Sequence, residues 1–177
     1  MTSVRDGTVI IGIGNIIRSD DGLGVHAVRR LRERHPLAHD VELIEGGTAG
    51  LLLLPCLAGA RRAIIVDAIS VGHPPGTLVR LKSGDGAFST GMTPHDVGLA
   101  DLLDAARLTN ALPDELVVHG VQPASTAMGT ELTPPVAAAL DPLVDAIHTD
   151  LLEWRTSAGE RDPQLVGPIM RAARRRK

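Results

Sequence analysis

Short apolar runs alternate with amphipathic stretches along this chain, and the alternation predicts its elements. Thr8–Ile13 is a β-branched run interrupted by Gly12 and followed by Gly14, which reads as a buried strand entering a tight turn. Leu23, Ala27, Val28 and Leu31 keep helical spacing, predicting a helix over about residues 21–34 that Pro36 ends. Residues 41–44 predict a second strand closed by Gly46-Gly47, and residues 49–57 a short buried helix broken near Gly59. Residues 63–66 form a third apolar strand, with Asp67 at its C-terminal end. A Gly- and Pro-rich connection leads to a fourth strand at residues 77–81. That connection, about ten residues long, is marginal for a helical crossover, so the fourth strand is expected to run antiparallel to the third. Residues 82–91 read as a polar, mobile loop, residues 97–106 as a helix and Glu115–Val121 as the last strand. Val136, Leu140, Leu143, Val144, Ile147 and Leu151 form one stripe, predicting a long amphipathic helix over residues 135–155.

This order predicts an α/β fold of three layers: a mainly parallel, twisted sheet of about five strands, helices on both faces and one antiparallel strand. Ligands of such sheets bind beyond the C-terminal strand ends. A single domain is expected over residues 1–155, followed by a C-terminal extension over 156–177. Five of the last seven residues are basic, so this extension reads as a flexible, solvated tail.

Composition narrows the chemistry. Hydrophobic residues make up 44% of the 177, enough for a buried core, so wholesale disorder is excluded. Aromatics are nearly absent, with Phe88, Trp154 and no tyrosine, so the core is aliphatic and base-stacking surfaces are disfavoured. A net charge of −3 supplies no basic field, and no nucleic-acid partner is expected. The single Cys56 excludes an intramolecular disulfide and a thiolate zinc site; it reads as a buried structural thiol. The apolar run at 51–54 is too short for a membrane span and the N-terminus lacks a leader pattern, so no membrane partner and a cytoplasmic location are expected.

Four stretches fall at the predicted strand ends: residues 12–24, residues 45–48, Val66-Asp67-Ala68 and Thr93-Pro94-His95-Asp96. The first begins like a dinucleotide fingerprint. However, Ile17 occupies the place of its third glycine, and Asp20 and Asp21 at the helix start would repel a pyrophosphate. Asp20 reads most simply as a helix N-cap, which leaves Asp21 to point into the crevice. Taken alone, Asp67 fits a turn as well as a site, and His95 fits a satisfied loop histidine. Together Asp21, Asp67 and His95 offer two oxygens and one nitrogen, a three-ligand set with open positions of the kind metal-dependent hydrolysis requires. No Gly-x-Ser-x-Gly elbow is present. His26, His35, His39, His73 and His148 read as solvated, and His119, inside the last strand, as a packing residue.

These stretches, taken in order, resemble the nickel–iron hydrogenase maturation proteases. The resemblance rests on Gly12-x-Gly14-Asn15 with Asp20-Asp21-Gly22-x-Gly24, on Gly46-Gly47-Thr48-x-Gly50 and on Ile65-Val66-Asp67-Ala68. It continues through Thr93-Pro94-His95, Gly120-Val121-Gln122-Pro123 and Gly129-x-x-Leu132-Thr133-Pro134, spanning about residues 8–150. It implies that Asp21, Asp67 and His95 are the metal-binding and catalytic residues; the family's first position is Glu or Asp. It also implies an endopeptidase that removes a C-terminal peptide from the precursor of a hydrogenase large subunit once nickel is inserted, the nickel being presented by the substrate. A non-catalytic nickel- and precursor-binding chaperone and a metal-dependent peptidase of small substrates are the competing readings.

Overall fold

The computed structural model describes residues 7–83 and 97–157. Its elements are β1 (Thr8–Ile13), α1 (Leu23–Arg34), β2 (Val41–Gly47), α2 (Leu54–Ala58), β3 (Arg62–Ala68), β4 (Leu78–Lys82), α3 (Val97–Leu108), β5 (Glu115–Val121) and α4 (Pro134–Ser157). Two 3₁₀ turns, Ser19–Gly22 and Gly50–Leu53, lead into α1 and α2. The strands form one sheet in the order β2-β1-β3-β5-β4. β2, β1, β3 and β5 are parallel, and β4 pairs antiparallel with β5. The expected reversal of β4 relative to β3 is therefore found, but β5 lies between the two strands.

Alternation along the strands divides the core into two layers. Ile10, Ile64, Val66, Val117 and Val121 face α1 and α4, whereas Val9, Ile11, Ile65, Leu116 and Val118 face α2 and α3. β1 and β3 bury every residue, as central strands of a sheet covered on both faces do. Each large aliphatic side chain buried in this way contributes roughly 1.5–3 kcal/mol. The α4 stripe runs unbroken through Pro142, which the helix accommodates on its exposed side.

The chain leaves β1 for β2 on one side and returns to β3 on the other, so the sheet has its switch point between the ends of β1 and β3. Two glycines allow the helix start to settle there. A Cβ on Gly24 would overlap the carbonyl oxygens of Ile13 and Val66, and one on Gly14, at φ 121°, would overlap that of Asp21. The first turn of α1 thus rests directly on the backbone at the ends of β1 and β3.

Two expectations need adjustment. Cys56 is half-buried at the edge of the α2–α3 layer rather than fully enclosed. The loop expected at residues 82–91 lies outside the described residues beyond Ser83, and the tail expected from residue 156 lies outside them beyond Ser157, where α4 ends.

Candidate active site

Asp21 and Asp67 come to the switch point from opposite directions. Asp21 is in the 3₁₀ turn over β1, partly exposed, and its Oδ2 accepts a hydrogen bond from the Asn15 amide at 3.0 Å. Asp67 is the penultimate residue of β3 and is 7% exposed. Its Oδ1 accepts the Ala68 amide at 2.8 Å. Each carboxylate therefore has one oxygen oriented by a backbone N–H, the kind of support that fixes a ligand or a base. His95 lies outside the described residues; α3, the element that follows it, packs on the sheet face to which Ile65 and Ile69 belong. Among the described residues no group of three His, Cys, Asp or Glu side chains is close enough to hold a metal ion. The described part of the site supplies two hard oxygen donors.

Asp20 does not cap α1. The helix begins only at Leu23, after the 3₁₀ turn, and receives no side-chain cap. Asp20 is completely buried. Its Oδ2 accepts hydrogen bonds from the amides of Ala124 (2.9 Å) and Ser125 (3.0 Å) and from Thr133 Oγ1 (2.8 Å), and its Oδ1 accepts the Thr133 amide (2.7 Å). The β5–α4 connection is thereby fastened to the β1–α1 connection. Backbone bonds from Ser19 N to Gly129 O (2.8 Å) and from Gly129 N to Ile17 O (3.0 Å) extend the seam, as does Arg18 Nε to Thr126 O (3.0 Å). Sequence reasoning missed this function because the partners lie more than a hundred residues apart; the pairing of Asp20 with Thr133 leaves no local signal.

The remaining histidines divide. His119 is buried, as expected, but it also has a partner: its Nε2 lies 2.6 Å from Asp150 Oδ2 on α4. A carboxylate only accepts, so the proton is on Nε2. Arg80, the cross-strand neighbour of His119, grips the same carboxylate at 2.7 and 3.1 Å. Burial pushes the Asp150 carboxyl up, but the hydrogen bonds and charges of His119 and Arg80 outweigh it and hold the group at about 2. His26 is not solvated as expected: its Nε2 is buried without a protein partner among the described residues, and burial, with the nearby Arg29 charge, lowers its pKa. His35 stacks on His148 at 4.0 Å and sits 3.3 Å from Asp145, so neither ring is fully solvated.

Fold and crevice together define a small three-layer α/β protein with a carboxylate pair at the switch point of its sheet. A family model described as "Hydrogenase maturation protease" matches residues 25–150. The hydrogenase 2 maturation protease of Escherichia coli is 37% identical over 157 residues, 87% of this chain and 96% of that protein. The solved structure of the hydrogenase maturating endopeptidase HybD from E. coli has a TM-score of 0.75 at 37% identity, covering 83% of this chain and 93% of that one. The [NiFe] hydrogenase maturation protease HybD from Thermococcus kodakarensis gives a TM-score of 0.65 at 26% identity, covering 81% and 97%. The chain belongs to the hydrogenase maturation protease family and is an endopeptidase, a hydrolase of the peptide bond.

Proposed function

We propose that this endopeptidase removes a C-terminal peptide from the nickel-loaded precursor of a nickel–iron hydrogenase large subunit, acting in the cytoplasm. The observation that carries the reading is the pair Asp21 and Asp67, each braced by a backbone amide at the one place in the sheet where two chain directions part. Among the described residues no helix is long and apolar enough to cross a membrane, which is compatible with a protein substrate met in solution.

In this reading Asp21, Asp67 and His95 are ligands for nickel that arrives with the precursor. Two carboxylate oxygens and an imidazole, with no thiolate, bind nickel modestly by themselves and complete a coordination shell begun by the substrate. Nickel so bound would supply Lewis acidity at the scissile carbonyl or at an attacking water. The protein's own part is orientation. Asn15 and Ala68 hold the two carboxylates in place, and one of the carboxylates would take a proton from water. Cleavage is then licensed by the metal content of the substrate.

The test is the intact mass of the precursor, nickel-loaded and nickel-free, after incubation with the protein. Loss of a C-terminal peptide from the loaded form alone is expected. Stable binding with no mass change from either form would overturn the reading in favour of a nickel- and precursor-binding chaperone. Cleavage of the nickel-free form at the same rate would remove nickel from it.

A further inference from the structure

The described residues include eight large hydrophobic side chains left exposed, and five of them sit in the connections at the site's end of the sheet. Ile16 and Ile17 follow β1, Leu51 and Leu52 follow β2, and Met128 follows β5. Among them Leu52 is 81% and Met128 78% exposed. Ile17 and Met128 belong to one surface. Ile17 O accepts the amide of Gly129, the residue after Met128, and the bridge Arg18–Gly129 runs beside it.

Many of the backbone amides of that surface are bonded within it. Asp20 takes the amides of Ala124, Ser125 and Thr133. Asn15 Oδ1 takes that of Ile17, and Ser125 Oγ that of Ala127. The amides of Arg18, Ser19, Asp20 and Asp21 bond to backbone carbonyls within the two connections. The seam leaves the side chains of Ile16, Ile17 and Met128 exposed, and it carries Asp21 through the Asn15 amide.

We propose that the two connections locked by Asp20 form the substrate-seating wall of the site, with Ile16, Ile17 and Met128 binding an extended aliphatic stretch of the precursor that flanks the scissile bond. The occupant follows from continuity and chemistry. A polypeptide whose peptide bond reaches Asp21 has to pass the residues on either side of it. The aliphatic side chains exposed beside that carboxylate, Ile16, Ile17 and Met128, are complementary to apolar side chains of such a polypeptide. Asp20 is a positioning residue in this arrangement, holding one wall to the other without touching substrate. The proposal rests on the precursor being the substrate.

The test compares the full-length protein with an Ile17→Ser/Met128→Ser double variant, an Ile17→Leu/Met128→Leu variant and a Leu108→Ser control. Leu108, 89% exposed, ends α3 ahead of β5 at the opposite end of the sheet. Binding of the nickel-loaded precursor and its cleavage are measured separately. The serine variant is expected to raise both Kd and KM about tenfold or more while kcat stays within about twofold, the pattern of lost binding that is equal in ground and transition states. Leu108→Ser is expected to retain wild-type KM, and the leucine variant to lose less affinity than the serine variant. An unchanged Kd in the serine variant overturns the proposal. So does an unchanged Kd accompanied by conversion of a dimer to a monomer, which would give the surface to a second copy of this chain. If the wild type binds the precursor but does not cut it, the proposed function fails while the Kd comparison still decides the wall. Wild type that binds no precursor overturns both.

Discussion

Adjacent aspartates at the head of α1 have opposite surroundings and different consequences when replaced. Asp20 is fully enclosed and satisfies three backbone amides and a hydroxyl, so removing its carboxylate strands several buried donors at once. Asp20→Ala is expected to cost about 3 kcal/mol, lowering the thermal midpoint by roughly 6–12 °C for a domain of this size. Asp21 is partly exposed and makes one such bond, which an asparagine can also accept. Asp21→Asn is expected to leave the midpoint within about 2 °C and to lower precursor cleavage at least about 100-fold. Thermal unfolding and precursor mass measured on both variants check the pair of outcomes. Equal losses of stability would show that the two residues share one structural task. Sequence alone read Asp20 as a helix N-cap, and the structure gives it another task. An N-cap is a local bond, whereas the real partners of Asp20 follow four more strands along the chain.

The elements show why some of the chain was legible. β5 has its predicted bounds because turn residues flank a run buried from Leu116 onward, and β3 extends one residue earlier and two later because Asp67 and Ala68 continue the pairing with β5. The stripe of α4 outweighed Pro142, since one unfavourable residue on an exposed face does not cancel the burial of Leu143, Val144 and Ile147. The position of β4 beyond β5 was not legible, because periodicity gives direction and length but not neighbours. Two predictions belong at this scale. Pro142→Ala restores a hydrogen-bond donor to the middle of a helix and is expected to stabilise the protein by about 1–3 kcal/mol, read by urea unfolding. Gly24→Ala places a Cβ against two backbone carbonyls that have no side chain to swing away. It is expected to cost about 3 kcal/mol or more and to lower cleavage as well, because the turn carrying Asp21 has to lift off β3. An alanine variant with wild-type stability would show that the helix start does not rest on the strand ends.

For the molecule as a whole, the lock between the sheet and α4 should set its response to acid. Arg80 on β4, His119 on β5 and Asp150 on α4 join the antiparallel edge of the sheet to the longest helix, across a layer made of aliphatic side chains and Trp154. Asp150 titrates at about 2 in the folded protein against an ordinary value of 3.8. In the unfolded chain it takes up its proton first, so its ionised form favours folding at every pH above about 4. That contribution disappears as pH falls from about 4 through about 2. Its size is roughly 1–2 kcal/mol, reduced because Arg80 is half-exposed and screened by solvent. Asp141 and Glu45 are also held low by neighbouring arginines and add to the acid sensitivity of the wild type. They are common to wild type and an Asp150→Asn variant, so the difference in unfolding free energy between the two isolates Asp150. At neutral pH the variant should be the less stable, since Arg80 and His119 lose a charged partner. The gap should hold down to about pH 4 and then narrow toward about pH 2, where the wild-type carboxyl is itself becoming neutral. A gap that stays constant across that range would mean the pairing contributes packing rather than charge, and the acid response would then have to come from the surface pairs between α1 and α4.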